Sequence, residues 1–334
     1  MLVERMLVSM PIHKPVIKVF SDKEQLIACC ADYLGKVMKK ILHKQGLCTV
    51  TLAGGSTPRG LYQALASPPW AKRIAWERVH LFWGDERTVP SNHQDSNYRM
   101  VREALIDNVP LPETNVHPII FDPPQSFEPA EAALAARAAE RYEDLLARFF
   151  YPPRPAGETP GKIPGKTREE ICRGKSRELA IEPPKFDIIL LGIGDDGHTA
   201  SLFPGTPAVQ EKKRWVTEVY VPRLNSWRVT LTLPVINNAA LVVFLVSGSS
   251  KAGAVSRVVK ALFPDSDRQP QDRHHHEPHA SLNPHALNSA ALNNKLHTYS
   301  ETVPPAARVL PCSGRLLFFM DREAAAGDRH GTGS

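Results

Sequence analysis

The 334-residue chain is poor in cysteine, with five: Cys29, Cys30, Cys48, Cys172 and Cys312. They form no CxxC pair and no zinc-ligand spacing, and their number is odd. A disulfide framework is therefore not expected, and a reducing, cytoplasmic compartment is. No run approaches the roughly 20 apolar residues of a membrane span, so no membrane partner is expected. The opening MLVERMLVSMPIHKP lacks the apolar core of a signal peptide, and Met1, Met6 and Met10 leave the start residue open. No dense Lys/Arg block with interleaved aromatics occurs. The net charge of +6 therefore suits a small anionic ligand better than nucleic acid. No GxxxxGKS or GxxxxGKT run occurs, which removes the P-loop and its nucleotide.

What remains is a globular composition, 42% hydrophobic and 23% charged. Short apolar runs read as buried strands at 48–52, 79–83, 116–120, 186–191 and 241–246. Between them lie helical patterns, notably 21–45, with Ser21 or Asp22 as cap, and 128–150. Continuous apolar strands alternating with helices indicate an α/β fold with a largely parallel sheet covered on both faces. RVTLTLP (228–234) alternates instead and is expected as an edge or antiparallel addition. One domain over 12–330 is expected. A Pro/Gly/charge-rich insertion at 151–182 and a His/Asn-rich one at 264–301 interrupt it.

Four strand-to-helix junctions carry the polar chemistry. In TLAGGSTPRG, the loop Gly54, Gly55, Ser56 and Thr57 precedes Pro58. Glycines admit a ligand close to backbone N–H groups, and the helix start adds partial positive charge, so an anion cradle is expected with Thr57 as cap. In VHLFWGDERTVP, Arg87 lies just past a strand's carboxyl end, where it can hold phosphate or a developing oxyanion. In GIGDDGHTASLF, Gly192, Gly194 and Gly197 permit a tight strand exit. His198 can exchange a proton near neutral pH, and Asp196 can orient it. Thr199 and Ser201 are readable as caps of a following helix. In LVVFLVSGSSKAG, Lys251 at a helix start opposes the helix dipole, and a bound anion would explain it. In a parallel sheet these junctions share one edge, which predicts a phosphorylated small-molecule site with proton-transfer chemistry and no required metal.

Two further patterns carry less. HHHEPH (274–279) lies in the second insertion with no partner cluster to complete a metal site. Gly192, Gly194 and Gly197 fall at the GxGxxG spacing, but no acidic residue closes a recognisable second strand about 20 residues on, so a dinucleotide cofactor is not expected.

Together AGGSTP (53–58), WGDERTVP (83–90), DSNYRMV (95–101), LLGIGDDGHTASLFPGT (190–206), RVTLTLPVINNA (228–239), SGSSKA (247–252) and LFFMDREAA (317–325) resemble the 6-phosphogluconolactonases of the hexosamine-phosphate-isomerase-like type. The resemblance implies a Rossmann-like sheet with its site at the carboxyl edge. It also implies hydrolysis of 6-phosphoglucono-δ-lactone in the oxidative pentose phosphate pathway, without cofactor. His198 matches the general base and Asp196 its companion. Arg87, Lys251 and Gly54–Thr57 match substrate-binding positions. Two alternatives stand beside it, a glucosamine-6-phosphate deaminase-like enzyme and a non-catalytic phosphosugar sensor. Asp85-Glu86-Arg87 and Thr199-Ala200-Ser201-Leu202 differ from the deaminase pattern. The expected partner is a small phosphosugar lactone, and the expected state a monomer or weak homo-oligomer.

Overall fold

The computed structural model describes residues 13–121, 131–152, 182–263 and 303–327. Its strands in chain order are β1 (Val16–Phe20), β2 (Cys48–Leu52), β3 (Val79–Trp83), β4 (Asp85–Arg87), β5 (Val116–His117), β6 (Ile188–Leu191), β7 (Val216–Val221), β8 (Ser226–Leu231), β9 (Leu241–Val246) and β10 (Arg315–Asp321). Seven build one sheet in the order β1-β10-β9-β6-β2-β3-β5, and every neighbouring pair in it is parallel. The other three form an antiparallel sheet, β4-β8-β7.

Strands β2, β6 and β9 are apolar runs because they are buried along their whole length. Both faces of a central parallel strand are covered, so alternation disappears. The edge strand β1 exposes Val16 and Val19 and gave no comparable signal. The expected strand over 116–120 shrinks to Val116–His117, because Pro118 has no N–H to continue the ladder. RVTLTLP supplies β8, the middle strand of the antiparallel sheet. Its partner β7 was not foreseen.

The expected helix over 21–45 is α1 (Lys23–Gln45). Asp22 caps it by accepting the Gln25 N–H at 2.8 Å, and Gly46 ends it with φ +82°. It is followed by α2 (Ser56–Leu65), the short α3 (Trp70–Arg73), α4 (Asn97–Ala104) and α5 (Glu131–Phe150). α5 packs against β7 and β8 and so joins the small sheet to the body.

Gly84 is the crossing point between the sheets. Its N–H donates to Leu52 of β2 while its carbonyl accepts from Leu231 of β8. Asp85–Arg87, expected at the carboxyl end of the preceding strand, is therefore a strand in its own right. The chain leaves β2 toward β3 and β5 on one side, then returns to β6 on β2's other side. The loops after β2 and β6 part at this reversal, which opens a crevice at the carboxyl edge.

Most of the two expected insertions lies outside the described residues. The ends of the first meet, since the Tyr151 hydroxyl donates to the Glu182 carbonyl at 2.8 Å. Among the described residues no helix is long and apolar enough to cross a membrane.

Candidate active site

Strand β6 ends at Leu191, and the chain turns back within seven residues. The Gly194 N–H donates to the His198 carbonyl at 2.9 Å, and the Gly197 N–H donates to the Gly194 carbonyl at 3.0 Å. Gly197 takes φ +89°, a region that favours glycine. At Gly194 the constraint is space, because a Cβ there would stand 2.0 Å from His198 Nδ1. The Ala306 N–H clamps the turn from the far end of the chain, donating to the Gly197 carbonyl at 3.0 Å.

This folding brings Asp196 and His198 together. Asp196 Oδ1 accepts the His198 backbone N–H at 3.0 Å and stands 2.6 Å from Nδ1 of the ring. Burial by itself would raise the Asp196 carboxyl. The hydrogen bonds from His198 and the charge of Arg223 outweigh it and lower the carboxyl to about 2. An ionised Asp196 accepts a proton-bearing Nδ1, which leaves the lone pair on Nε2. Nε2 has no hydrogen-bond partner among the described residues. The His198 side chain is 23% exposed, so it is neither walled in nor loose. Phe203 stacks on it at 4.0 Å between centroids.

Sequence reasoning missed Arg223. It sits in a one-turn 3-10 segment, Pro222–Leu224, between β7 and β8. One Nη lies 3.0 Å from Asp196 Oδ2 and the other 3.4 Å from Asp195 Oδ1. Its guanidinium also lies over the Phe203 ring at 5.1 Å. A basic residue in a short turn was the only signal. Asp195, Asp196 and His198 place three possible metal-ligand atoms within 4.8 Å of one another. Both carboxylates already face Arg223 and Nδ1 faces Asp196, so the donor set is that of a neutralised acid–base turn.

The loop after β2 lies beside this turn in strand order. Helix α2 starts at Ser56 with Gly55 at the cap position, φ +106°, and no side chain caps it. The expectation of Thr57 as cap is thus corrected: Thr57 is a buried first-turn residue, and the backbone N–H groups stay uncapped by side chains. Pro58 lies in the same turn, where its missing N–H costs no helical bond. A Cβ on Gly54 would stand 2.0 Å from Asn97 Oδ1, and Asn97 in turn donates to the Asp85 carbonyl at 2.9 Å.

On the other side, β9 runs into Gly248, φ +97°. Lys251 closes a 3-10 turn, Ser249–Lys251, that leads into the helix Ala252–Leu262. Its charge reaches Asp195, whose carboxyl is lowered against its burial by Arg223 and then Lys251. The Asp321 carboxylate at the end of β10 accepts the Gly248 N–H and the Ser247 hydroxyl, which fixes this loop.

Arg87 stands on β4. Its neighbour Glu86 is buried and accepts N–H groups from Arg87, Asn97 and Tyr98 at 2.8, 2.9 and 2.8 Å, plus the Ser96 hydroxyl at 3.1 Å. Burial raises the Glu86 carboxyl, and these bonds offset part of that. Glu86 thereby ties the WGDERTVP segment to the start of α4. One Arg87 Nη donates to the Asp95 carbonyl at 2.7 Å. Arg87 contacts Glu86 and Asp95 rather than His198. The link between the two motifs is Ser201, whose hydroxyl donates to Asp85 Oδ2 at 2.7 Å. Ser201 and Thr199 are buried and no helix starts at either of them, the next being the 3-10 segment Pro207–Gln210, which corrects their expected capping role. Arg228 of β8 is the cross-strand partner of Arg87 and was also missed.

These junctions sit on adjacent strands, in the order β9 (Lys251), β6 (His198), β2 (Gly54–Thr57) and β3 with its continuation β4 (Arg87). The family model for glucosamine-6-phosphate isomerases/6-phosphogluconolactonase matches residues 21–286. The 6-phosphogluconolactonase of Synechocystis is 38% identical over 255 residues, covering 76% of this chain and 88% of that protein. A probable 6-phosphogluconolactonase of Arabidopsis thaliana is 30% identical over 314 residues, 93% of this chain and 92% of its own. The solved 6-phosphogluconolactonase of Trypanosoma brucei superposes with a TM-score of 0.65 at 27% identity, covering 94% of this chain and 98% of that one. The chain belongs to the family of glucosamine-6-phosphate isomerases and 6-phosphogluconolactonases.

Proposed function

We propose that this protein hydrolyses 6-phosphoglucono-δ-lactone to 6-phosphogluconate, the lactonase step of the oxidative pentose phosphate pathway. The observation that carries the assignment to the site is His198, whose Nδ1 is held by Asp196 while Nε2 is left open at the carboxyl edge. The names and coverage of the relatives support the lactonase over the deaminase and the sensor.

In this reading a water molecule attacks the lactone carbonyl carbon and gives its proton to His198 Nε2. The tetrahedral intermediate then breaks its bond to the ring oxygen, which takes that proton back from the imidazolium and leaves as a hydroxyl. Asp196 stays ionised throughout and steadies the charged ring. A positioned base contributes about 10²–10⁴-fold. Lys251, the uncapped N–H groups of Ser56 and Thr57, and the guanidinium groups of Arg87 and Arg228 hold the phosphate and so fix the carbonyl before His198. The negative oxygen of the intermediate forms in the field of these same groups. No step requires a metal, and EDTA-treated protein should keep its activity. The protein acts as a monomer or weak homo-oligomer in the cytoplasm on this proposal. Relatives from rice and Arabidopsis carry chloroplastic names, so fractionation checks the compartment.

The test is hydrolysis of freshly generated lactone against its spontaneous background. A rate proportional to protein supports the proposal. Ammonia release from glucosamine 6-phosphate without lactone hydrolysis would replace it with the deaminase.

A further inference from the structure

Asp196 meets His198 through one oxygen only. Oδ1 serves both the ring Nδ1 and the His198 backbone N–H. A carboxylate held by one oxygen can rotate about its terminal bond, a broad two-fold torsion. Rotation would carry Oδ1 away from the ring and release His198 to its other tautomer. Something must hold the second oxygen, and Arg223 does so at 3.0 Å from Oδ2.

Arg223 is well placed for this because it comes from outside the turn. It belongs to the segment joining β7 to β8, in the other sheet. Its guanidinium is fixed on three sides, by Asp196, by Asp195 and by the face of Phe203. Phe203 also stacks on His198, so Arg223, Asp196, His198 and Phe203 form a closed ring of contacts. Arg257 holds the same turn from the helix Ala252–Leu262, donating to the Asp195 carbonyl at 3.1 Å.

One contact looks contrary. An Arg223 Nη lies 3.3 Å from His198 Nδ1. With Nδ1 protonated toward Asp196 both groups are donors, so this approach is no hydrogen bond. The shorter distances decide: Nδ1 pairs with Asp196 at 2.6 Å, and Arg223 pairs with Oδ2 at 3.0 Å. The Arg223 side chain is 43% exposed, and ion pairs so open to water add little to stability. Its contribution is orientation.

We propose that Arg223 is a positioning residue that locks the Asp196 carboxylate against Nδ1 of His198 and thereby keeps Nε2 as the proton acceptor. The proposal rests on the lactonase reading for its kinetic test and on the geometry alone for its spectroscopic one.

The experiment compares wild type, Arg223→Ala and Arg223→Lys by ¹⁵N NMR of the histidine rings and by lactone kinetics. The wild type should show His198 as the Nδ1–H tautomer. In Arg223→Ala the tautomers should mix, and kcat should fall about 10–100-fold with KM nearly unchanged, the cost of a misoriented catalytic group. Arg223→Lys should restore most of the tautomer preference and of kcat. The melting temperature should stay within about 2 °C of wild type for both variants. An unaltered tautomer ratio in Arg223→Ala overturns the proposal. A raised KM with kcat intact also overturns it, making Arg223 a substrate contact. Absent lactonase activity in wild type would sink the function instead, and the tautomer measurement would still decide the role of Arg223.

Discussion

Arg87 and Arg228 face each other directly across β4 and β8. Both Nε atoms are buried without a hydrogen-bond partner among the described residues. Burial, and then the charge of Arg87, push the Arg228 guanidinium below its ordinary range. Like charges directly opposite on paired strands are destabilising, and an anion between them would relieve the repulsion. Inorganic phosphate should therefore raise the melting temperature of wild type and protect Arg228→Met much less. The same variant should raise KM about 10-fold with little change in kcat, the value of one charge-assisted bond of uniform binding. Without phosphate it should be at least as stable as wild type. Equal protection of both proteins by phosphate would remove Arg228 from the site.

Asp196 gives the site an acid limit. Its folded pKa of about 2 lies below an unfolded value of about 3.9. Stability from this group is present above pH 4 and is lost as pH falls through 2, because the unfolded chain binds the proton first. The difference corresponds to about 2–3 kcal/mol. Asp196→Asn should flatten that part of the acid-unfolding curve. It should also lower kcat by about 10²-fold or more, since an amide no longer selects the Nδ1–H tautomer. Urea midpoints at pH 2, 3 and 5 check the first claim, and steady-state kinetics the second.

Gly194 separates space from strain. Gly194→Ala would set a methyl 2.0 Å from His198 Nδ1 without demanding a positive φ. The ring must swing out, so kcat should collapse by about 10²-fold. Chemical shifts of the large sheet should hold. Wild-type turnover in this variant would mean that the ring position does not matter.

His80 and His117 offer a control away from the site. Nδ1 of His80 lies 3.1 Å from Nε2 of His117 on the adjacent strands β3 and β5. Burial first, and then the charge of His80, lower His117 to about 4; His80 is itself lowered by burial. Arg141, Asp144 and Arg148 of α5 line the same surface. Here the folded value lies below the unfolded one of about 6.5, so stability rises with pH between 4 and 6.5 and falls on acidification. His117→Phe should blunt that loss. Urea midpoints at pH 5 and 7 measure it, and lactone hydrolysis by the variant should remain near wild type.

The parts of this structure legible in the sequence are the local ones. Strands β2, β3 and β9 announced themselves by continuous apolar runs, and α1 by its period and Asp22. Asp196 and His198 were legible because they lie two residues apart in one glycine-bounded turn. Arg223 was not, because it reaches that turn from another sheet, 25 residues along the chain. Arg228 looked like the start of an alternating strand. Only the β4–β8 register sets it against Arg87. The cap at Gly55 was misread as Thr57 because the uncapped helix start contradicts ordinary capping preference. That same absence is what suits the turn to an anion.

The most direct measurement is turnover by His198→Ala on fresh lactone, alongside its thermal shift with inorganic phosphate. The expected result is a kcat lower by about 10²–10⁴-fold with the phosphate shift unchanged, because the base is gone and the anion holders remain. Turnover close to wild type would contradict the assignment of His198 as the base.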